Sequence, residues 1–400
     1  MKNHHGRSVR RFADTMCEMD AMRLGSLAVV ALILLASCTE DGAPESPAST
    51  ASGSGAGGSG QGAGSGSGGS DGGSGAAPSG CVAIDLDGPS QAVPLPNGCT
   101  GTTCTSVALT ALNDLAGSDY LGVQGGLYCG TNQRPSAYEA AGVALGDAVV
   151  ALDANGAPDP GGQYALVSIG MSNTTQEFSR FISKYDADPA KNPSLVLVDG
   201  ALGSHATPQW IDPNNEAWTN LSMRLATRGV SDAQVVALWV KLAQQTPQAQ
   251  CDAAGFPGEP CFPAHADKLA ADIRTILGML AARFTNLKLV YLSSRIYAGY
   301  ATVALNPEPY AYHSGFSVKK LIIESIMDDP AASALPYLAW GPYIWADGTN
   351  ANGDGLTWSV DELSATDGTH PSSTGQDKVA DMLFAFFTTD TTSAPWFNAR

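Results

Sequence analysis

Short apolar runs alternate with amphipathic segments from Tyr164 onward, and this alternation is the strongest constraint on how the chain can fold. The predicted strands are 164–169, 194–198, 234–240, 287–292 and 343–345, and the predicted helices are 173–187, 214–229, 264–285, 312–328 and 373–388. Nearly continuous apolar strands that alternate with helices indicate a parallel sheet with both faces covered. We therefore predict an α/β fold, a three-layer α/β/α sandwich around a central parallel sheet.

The first 37 residues have the pattern of a secretory signal. Leu24–Leu35 is an uncharged apolar run, too short to span a bilayer but typical of a signal peptide. The residues Leu35-Ala36-Ser37-Cys38 follow and resemble the lipobox of bacterial lipoproteins, in which the cysteine is lipidated. An ordinary signal peptide with an unrelated Cys38 is the alternative. Translation from Met22 would give a more typical signal, because acidic residues precede the apolar run.

The rest of the chain divides into three parts. Residues 38–80 are mostly Gly, Ser and Ala and are predicted to be a flexible linker behind the lipidated Cys38. Residues 81–160 contain four cysteines and little periodicity, which indicates a disulfide-stapled N-terminal extension. Residues 161–400 are the predicted α/β domain. This organisation predicts an exported protein that is lipid-anchored in a bacterial membrane, facing the periplasm or the cell surface.

Six cysteines remain after Cys17 and Cys38 are set aside, and an even number in an exported chain indicates disulfides. Spacing alone leaves the pairing open. The Gly- and Pro-rich loop between Cys251 and Cys261 favours that pair. No C-x-x-C spacing points to zinc, and we expect neither a metal nor a cofactor.

Composition excludes two classes of protein. The net charge of -17 argues against nucleic-acid binding, because a phosphate backbone requires a basic surface. A hydrophobic content of 44% excludes disorder throughout the chain. We expect a monomer whose partners are a small-molecule or glycan ester and, through its lipid, a membrane.

Two local patterns carry candidate chemistry. Asp367 and His370 lie three residues apart before the last predicted helix, so the carboxylate can hold one ring nitrogen and direct the other outward. A polar turn that caps this helix is the alternative. Ser172 follows the first predicted strand at the start of a helix, where positive dipole favours developing negative charge. A plain N-cap is the alternative for Ser172, and G-x-S-x-G occurs only at Gly68–Gly72 in the linker.

The order of these blocks resembles the GDSL/SGNH hydrolase superfamily, over roughly residues 160–390. The blocks are Ser172, the loop Gly200-Ala201-Leu202-Gly203, and Asp367-x-x-His370. The resemblance implies a flavodoxin-like sheet and a serine esterase, with Ser172 as nucleophile, His370 as base and Asp367 orienting it. It also implies an oxyanion hole formed by the backbone N–H groups of Ser172 and Gly203.

Two positions depart from the family pattern. Met171 replaces the acidic residue before the serine, and the third block, 238–244, lacks the asparagine that donates to the oxyanion. Lys241 or Gln244 is therefore expected to replace that donor. The SGNH pattern predicts hydrolysis of a carboxylic ester through an acyl-enzyme, with an O-acyl group on a carbohydrate or small ester as substrate.

Alternatives to the esterase remain at this stage. One is a catalytically impaired SGNH fold that binds glycans at the surface, and a weaker one is an anchored adhesion or scaffold protein. Arg295, Tyr297 and Trp345 fall near strand ends and are predicted to line the substrate cleft, although core packing explains these aromatic residues equally well.

Overall fold

Five parallel strands form the central sheet of the computed structural model, which describes residues 80–329, 332 and 334–399. The strands in this part of the chain are β1 (Gln91–Ala92), β2 (Asp119–Tyr120), β3 (Val123–Gln124), β4 (Tyr164–Gly170), β5 (Leu195–Asp199), β6 (Val235–Lys241), β7 (Cys261–Phe262), β8 (Leu289–Leu292) and β9 (Tyr337–Trp340). The order across the sheet is β5-β4-β6-β8-β9, with every neighbouring pair parallel. All carboxyl ends therefore meet at one edge.

Helices cover both faces of this sheet. The helices among the described residues are α1 (Ser136–Asp147), α2 (Ser172–Ala187), α3 (Thr207–Trp210), α4 (Glu216–Thr227), α5 (Gln248–Ala253), α6 (Ala264–Arg283), α7 (Tyr310–Ile326), α8 (Ser373–Thr389) and α9 (Ala394–Phe397). Helix α2 packs against α8, and α6 packs against α7. Every residue of β4, β6, β8 and β9 is buried between the helical layers. The predicted three-layer α/β/α sandwich with a central parallel sheet is confirmed.

Four of the five predicted strands coincide with sheet strands, but the fifth was wrong. The last strand is β9 at Tyr337–Trp340, whereas residues 343–345 are buried without a place in the ladder. The backbone N–H of Gly341 makes a bond to the Leu292 carbonyl at 2.9 Å. Pro342 follows and has no N–H to continue the pairing, so the strand ends before the apolar residues that suggested it.

The segment before the sheet contacts the rest of the domain through a strand pair and through a buried lysine. Strand β1 pairs antiparallel with β7, and the buried Lys319 ammonium on α7 donates to the carbonyls of Gln124 and Gly125 at 2.6 Å each. Burial lowers the pKa of Lys319 to about 7. Three disulfides lie within the described residues: Cys81–Cys129, Cys99–Cys104 and the predicted pair Cys251–Cys261. Disulfides fit an exported protein.

The predictions for the beginning of the chain lie outside the described residues. They are the signal segment 1–37, Cys38 and the linker up to residue 79. Within the described part of the chain, no helix has the length and apolarity needed to cross a membrane.

A buried histidine makes the stability of the fold depend on pH. His265 on α6 is fully buried, and neither ring nitrogen has a hydrogen-bond partner among the described residues. Its ring packs edge-on against Tyr310, 5.1 Å between centroids, and close to His313 of α7. Burial lowers the pKa of His265 to about 3. The folded protein therefore holds His265 neutral where an unfolded chain would protonate it.

We expect the protein to lose stability as the pH falls below about 6.5, because His265 then binds a proton in the unfolded state but not in the folded state. From pH 7.5 to pH 5.5 this residue should remove about 1.4 kcal/mol from the free energy of unfolding. Urea unfolding of wild type and His265→Leu at both pH values measures the effect. The variant should lose about 1.4 kcal/mol less than wild type, and equal losses would contradict the assignment.

Candidate active site

The nucleophile candidate lies where β4, a strand inside the sheet, meets helix α2. Strand β4 ends at Gly170, and Ser172 is the first residue of α2. The Ser172 Oγ lies 2.7 Å from Nε2 of His370, which is 198 residues further along the chain. The structure therefore brings together a hydroxyl and an imidazole that the sequence separates widely.

Asp367 orients this imidazole from the same turn. Its Oδ2 lies 2.8 Å from Nδ1 of His370, and its Oδ1 accepts the backbone N–H groups of Thr369 and His370 at 2.8 and 2.9 Å. Gly368 adopts φ +60° here and lies against the Tyr300 carbonyl, which a Cβ would meet at 2.0 Å. The turn thus needs glycine at this position both for its conformation and for its packing.

The Asp367 carboxyl is held in its charged form. Partial burial acts to raise its pKa, but hydrogen bonds from the backbone N–H groups of His370 and Thr369 and from the His370 ring outweigh burial. The pKa of Asp367 is therefore below its ordinary value. An ionised carboxylate at Nδ1 leaves Nε2 as the proton acceptor that faces Ser172.

Two backbone N–H groups beside Ser172 are free to donate. Neither the N–H of Ser172 nor that of Gly203 has an acceptor among the described residues. Gly203 lies against the serine, since a Cβ built on it would be 3.9 Å from the Ser172 Cβ. His205 holds this loop through a 2.7 Å bond between its Nδ1 and the Gly203 carbonyl. These two N–H groups and the N-terminus of α2 favour negative charge at this point.

Lys241 does not have the predicted oxyanion role. Its side chain is fully buried, and its ammonium lies 2.5 Å from both carboxylate oxygens of Glu177, which is also fully buried. Burial raises the pKa of Glu177 and lowers that of Lys241 to about 8, while their mutual attraction opposes both shifts. The pair ties α2 to β6 beneath the serine. The prediction of Lys241 as a donor was wrong because its donors face Glu177.

Gln244 lines the site, but its amide nitrogen is already bound and does not serve as the predicted oxyanion donor. Its Nε2 donates to Oδ2 of Asp272 at 3.1 Å, whereas its Oε1 has no partner among the described residues. Because a carboxylate only accepts, this contact fixes which end of the amide carries the nitrogen. The free end of Gln244 is an acceptor, and an acceptor repels an oxyanion.

A half-open cavity of about 110 Å³ adjoins the serine and the histidine. Besides these two residues, it is lined by Met171, Ala206, Gln244, Arg295, Leu305 and Asn306, among others. It accommodates a short acyl group or a comparable polar group.

Only one of the three residues predicted to line the cleft does so. Tyr297 is buried, and its hydroxyl donates to the Cys104 carbonyl at 3.0 Å. Trp345 is buried as well, and its indole N–H donates to Glu308 at 2.8 Å. Neither lines the cavity, so the prediction was wrong for both aromatic residues and core packing explains them. Arg295 lines the cavity as predicted.

Arg295 is a buried cation with free donors. It is 1% exposed, and its Nε and Nη1 have no acceptor among the described residues, while Nη2 is 3.4 Å from the Thr369 carbonyl. Burial lowers the pKa of this guanidinium, and the charge of Glu177 opposes the shift. Arginine nevertheless stays charged in proteins. Arg295 is therefore a cation in the wall of the cavity, and it interacts with the charges of Glu177, Glu308 and Asp367.

Two contributors were missed by the sequence analysis. Asn173 is buried directly after the serine, and its Nδ2 donates to the Thr369 carbonyl at 3.1 Å, which ties the histidine turn to α2. Glu177 anchors Lys241. Asn173 stands next to Ser172 and was identifiable from that adjacency, whereas no sequence pattern distinguishes Glu177 from an exposed helical glutamate.

No protein-family model and no curated protein sequence matches the chain. Solved structures that are similar include a structural-genomics target from Bacillus subtilis, with 9% identity, 58% of each chain covered and a TM-score of 0.30. A GDSL-like lipase from Parabacteroides merdae has 10% identity and a TM-score of 0.31, with 58% of this chain and 96% of that chain covered. The catalytic domain of a peptidoglycan O-acetyltransferase from Streptococcus pneumoniae has 12% identity and a TM-score of 0.28, with 60% and 99% covered.

The chain therefore spans 58% of the length of the Bacillus subtilis protein. The function proposed below is argued from the geometry of this chain's own site.

We expect Asp367→Asn to slow the reaction of Ser172 with a fluorophosphonate by roughly 10³- to 10⁴-fold, because the amide cannot hold the same histidine tautomer. The rate of covalent labelling at fixed pH measures this effect. Asp361→Asn, an exposed acid on the preceding turn, is the matched control and should label like wild type. Labelling of Asp367→Asn at the wild-type rate would remove Asp367 from the relay.

Proposed function

We propose that the protein is a serine esterase that cleaves a carboxylic ester through an acyl-enzyme on Ser172. The observation that carries this proposal is the continuous relay Asp367–His370–Ser172, with contacts of 2.8 and 2.7 Å, next to two free backbone N–H groups. A plain helix cap at Ser172 explains neither the histidine contact nor the carboxylate behind it.

The geometry supports a two-step acyl transfer. His370 Nε2 takes the Ser172 proton as Oγ attacks the ester carbonyl, and the N–H groups of Ser172 and Gly203 receive the negative oxygen. The imidazolium then gives its proton to the departing alcohol, which leaves an acyl group on Ser172. Water attacks this acyl group with His370 again as base, and the acid is released.

We further propose that Arg295 supplies the third source of oxyanion stabilisation. Lys241 is bound to Glu177 and Gln244 presents an oxygen, so neither replaces the missing asparagine. Arg295 has free N–H donors and lines the same cavity as the serine. A buried positive charge of this kind is stronger than it would be in water.

The substrate class follows from the size of the cavity. A half-open cavity of about 110 Å³ suits an O-acyl group on a carbohydrate or another small ester, with the rest of the substrate lying outside it. We propose that the enzyme acts outside the cytoplasm, where the Gly- and Ser-rich linker and a lipid on Cys38 would hold it at a membrane. The three disulfides support an oxidising compartment.

Incubation of residues 80–400 with a fluorophosphonate, followed by peptide mapping, should place a covalent adduct on Ser172. Ser172→Ala should lose both the adduct and the hydrolysis of short-chain aryl esters, because no other group attacks the carbonyl. Ser179→Ala changes an exposed serine on the same helix and should retain both. Folded, disulfide-intact protein that shows no adduct would overturn the proposed function.

Arg295→Met should lower kcat by roughly 10²- to 10³-fold with little change in KM, because it removes charge that acts on the transition state. Arg295→Lys retains the charge and should recover part of the rate. Steady-state kinetics on one short-chain ester compare the three proteins. A rise in KM at unchanged kcat would show instead that Arg295 only binds the ground state.

A further inference from the structure

The loop that follows β5 is bound to its surroundings as far as Leu202. The Ala201 N–H donates to Oδ1 of Asp199 at 3.2 Å, and the Ala201 carbonyl accepts the hydroxyl of Thr175 at 2.9 Å. The Leu202 N–H donates to the Gly170 carbonyl at the end of β4, at 3.1 Å. Three hydrogen bonds therefore fix the backbone of this loop up to that point.

The next two residues, Gly203 and Ser204, are exposed and have little to hold them. Gly203 has no Cβ to restrict its backbone. Ser204 adopts φ +62°, a left-handed conformation that is unfavourable for a residue with a Cβ. Within the described part of the chain, the backbone of these two residues makes one hydrogen bond, which the Gly203 carbonyl accepts from Nδ1 of His205 at 2.7 Å.

His205 grips the peptide groups on both sides of Gly203. Its backbone N–H donates to the Leu202 carbonyl at 3.3 Å, and this carbonyl belongs to the same peptide group as the Gly203 N–H. Its Nδ1 carries a proton in the second bond, because the Gly203 carbonyl only accepts. The ring is 9% exposed by residue, and its Nε2 faces Oε1 of Glu216 at the start of α4, 3.4 Å away.

From these contacts we propose, building on the esterase function above, that His205 is the positioning residue of the oxyanion hole. Its imidazole holds Gly203 and the left-handed Ser204 in the conformation that keeps the Gly203 N–H beside Ser172. In this role His205 touches neither the substrate nor the reacting atoms, and it acts through Gly203.

Such a residue affects the transition state more than the bound substrate. The donors of an oxyanion hole stabilise the negative oxygen because they are in place before it forms. Without the imidazole bond, Ser204 would leave its left-handed conformation in part of the molecules and take the Gly203 N–H with it. The ground-state ester carries no oxyanion, so its binding would change little.

Two substitutions separate the bond to Gly203 from the polarity of the side chain. His205→Asn carries its amide nitrogen on Cγ, as Nδ1 is carried, and so retains a donor for the Gly203 carbonyl. His205→Gln is the matched control, because its amide nitrogen is one atom further out, at the position of Nε2. With 4-nitrophenyl acetate, we expect His205→Gln to lower kcat roughly ten- to hundred-fold with little change in KM, and His205→Asn to keep most of the wild-type kcat.

A reversible inhibitor gives a second measurement that a purely structural role of His205 would not move. The carbonyl carbon of trifluoroacetone is attacked by the Ser172 Oγ, whose proton passes to His370, and the former carbonyl oxygen becomes an oxyanion. The inhibition constant of trifluoroacetone should therefore rise in His205→Gln by about the factor by which kcat/KM falls, and stay near wild type in His205→Asn.

The outcomes distinguish this inference from the function on which it rests. All three proteins are first compared by thermal unfolding and by labelling of Ser172 with a fluorophosphonate to completion. Wild-type kcat in His205→Gln, or an equal loss in His205→Asn, would overturn the positioning role alone. A rise in KM at unchanged kcat would overturn it too, since His205 would then contact the substrate. Folded wild-type protein without labelling on Ser172 would overturn the esterase function and this inference with it.

Discussion

Both faces of the central sheet are buried, and this constraint determines where polar chemistry can be placed. The strands β4, β6, β8 and β9 contain no exposed residue. Each of these strands leaves the apolar layers only at its carboxyl end. Ser172, Gln244 and Arg295 all follow strand ends at this edge. The cavity lies beyond the carboxyl ends of three neighbouring strands, where the loops that follow these strands lead to the helices.

Two of the buried charged side chains in this site form an ion pair, and a third, Arg295, lies outside that pair. Glu177 and Lys241 neutralise each other in full burial, and they join the nucleophile's helix to the adjacent strand. A buried ion pair adds little net stability compared with apolar residues, but breaking one is costly. This ion pair holds the first part of α2 in position. It also leaves Arg295 as a cation of this site whose Nε and Nη1 have no acceptor among the described residues.

The sequence was sufficient for the architecture and for grouping Ser172, His370 and Asp367, and insufficient for the lining of the cavity. Apolar runs predict the strands because a sheet buried on both faces requires apolar side chains. Asp367-x-x-His370 is a local pattern, and a single turn of the backbone sets the geometry between its two side chains. Lys241, Tyr297 and Trp345 were misassigned for a common reason. A position near a strand end shows which edge a residue occupies, but the direction of its side chain depends on partners such as Glu177 and Glu308 that are distant in sequence.

The distance along the chain between Ser172 and His370 has a consequence for biosynthesis. Ser172 and His370 are separated by 198 residues, and the histidine turn directly precedes α8, which packs on α2. A nascent chain that has completed β9 but does not yet include His370 contains Ser172 without its histidine partner. The contact between Ser172 and His370 therefore forms late, after every strand of the sheet has been synthesised.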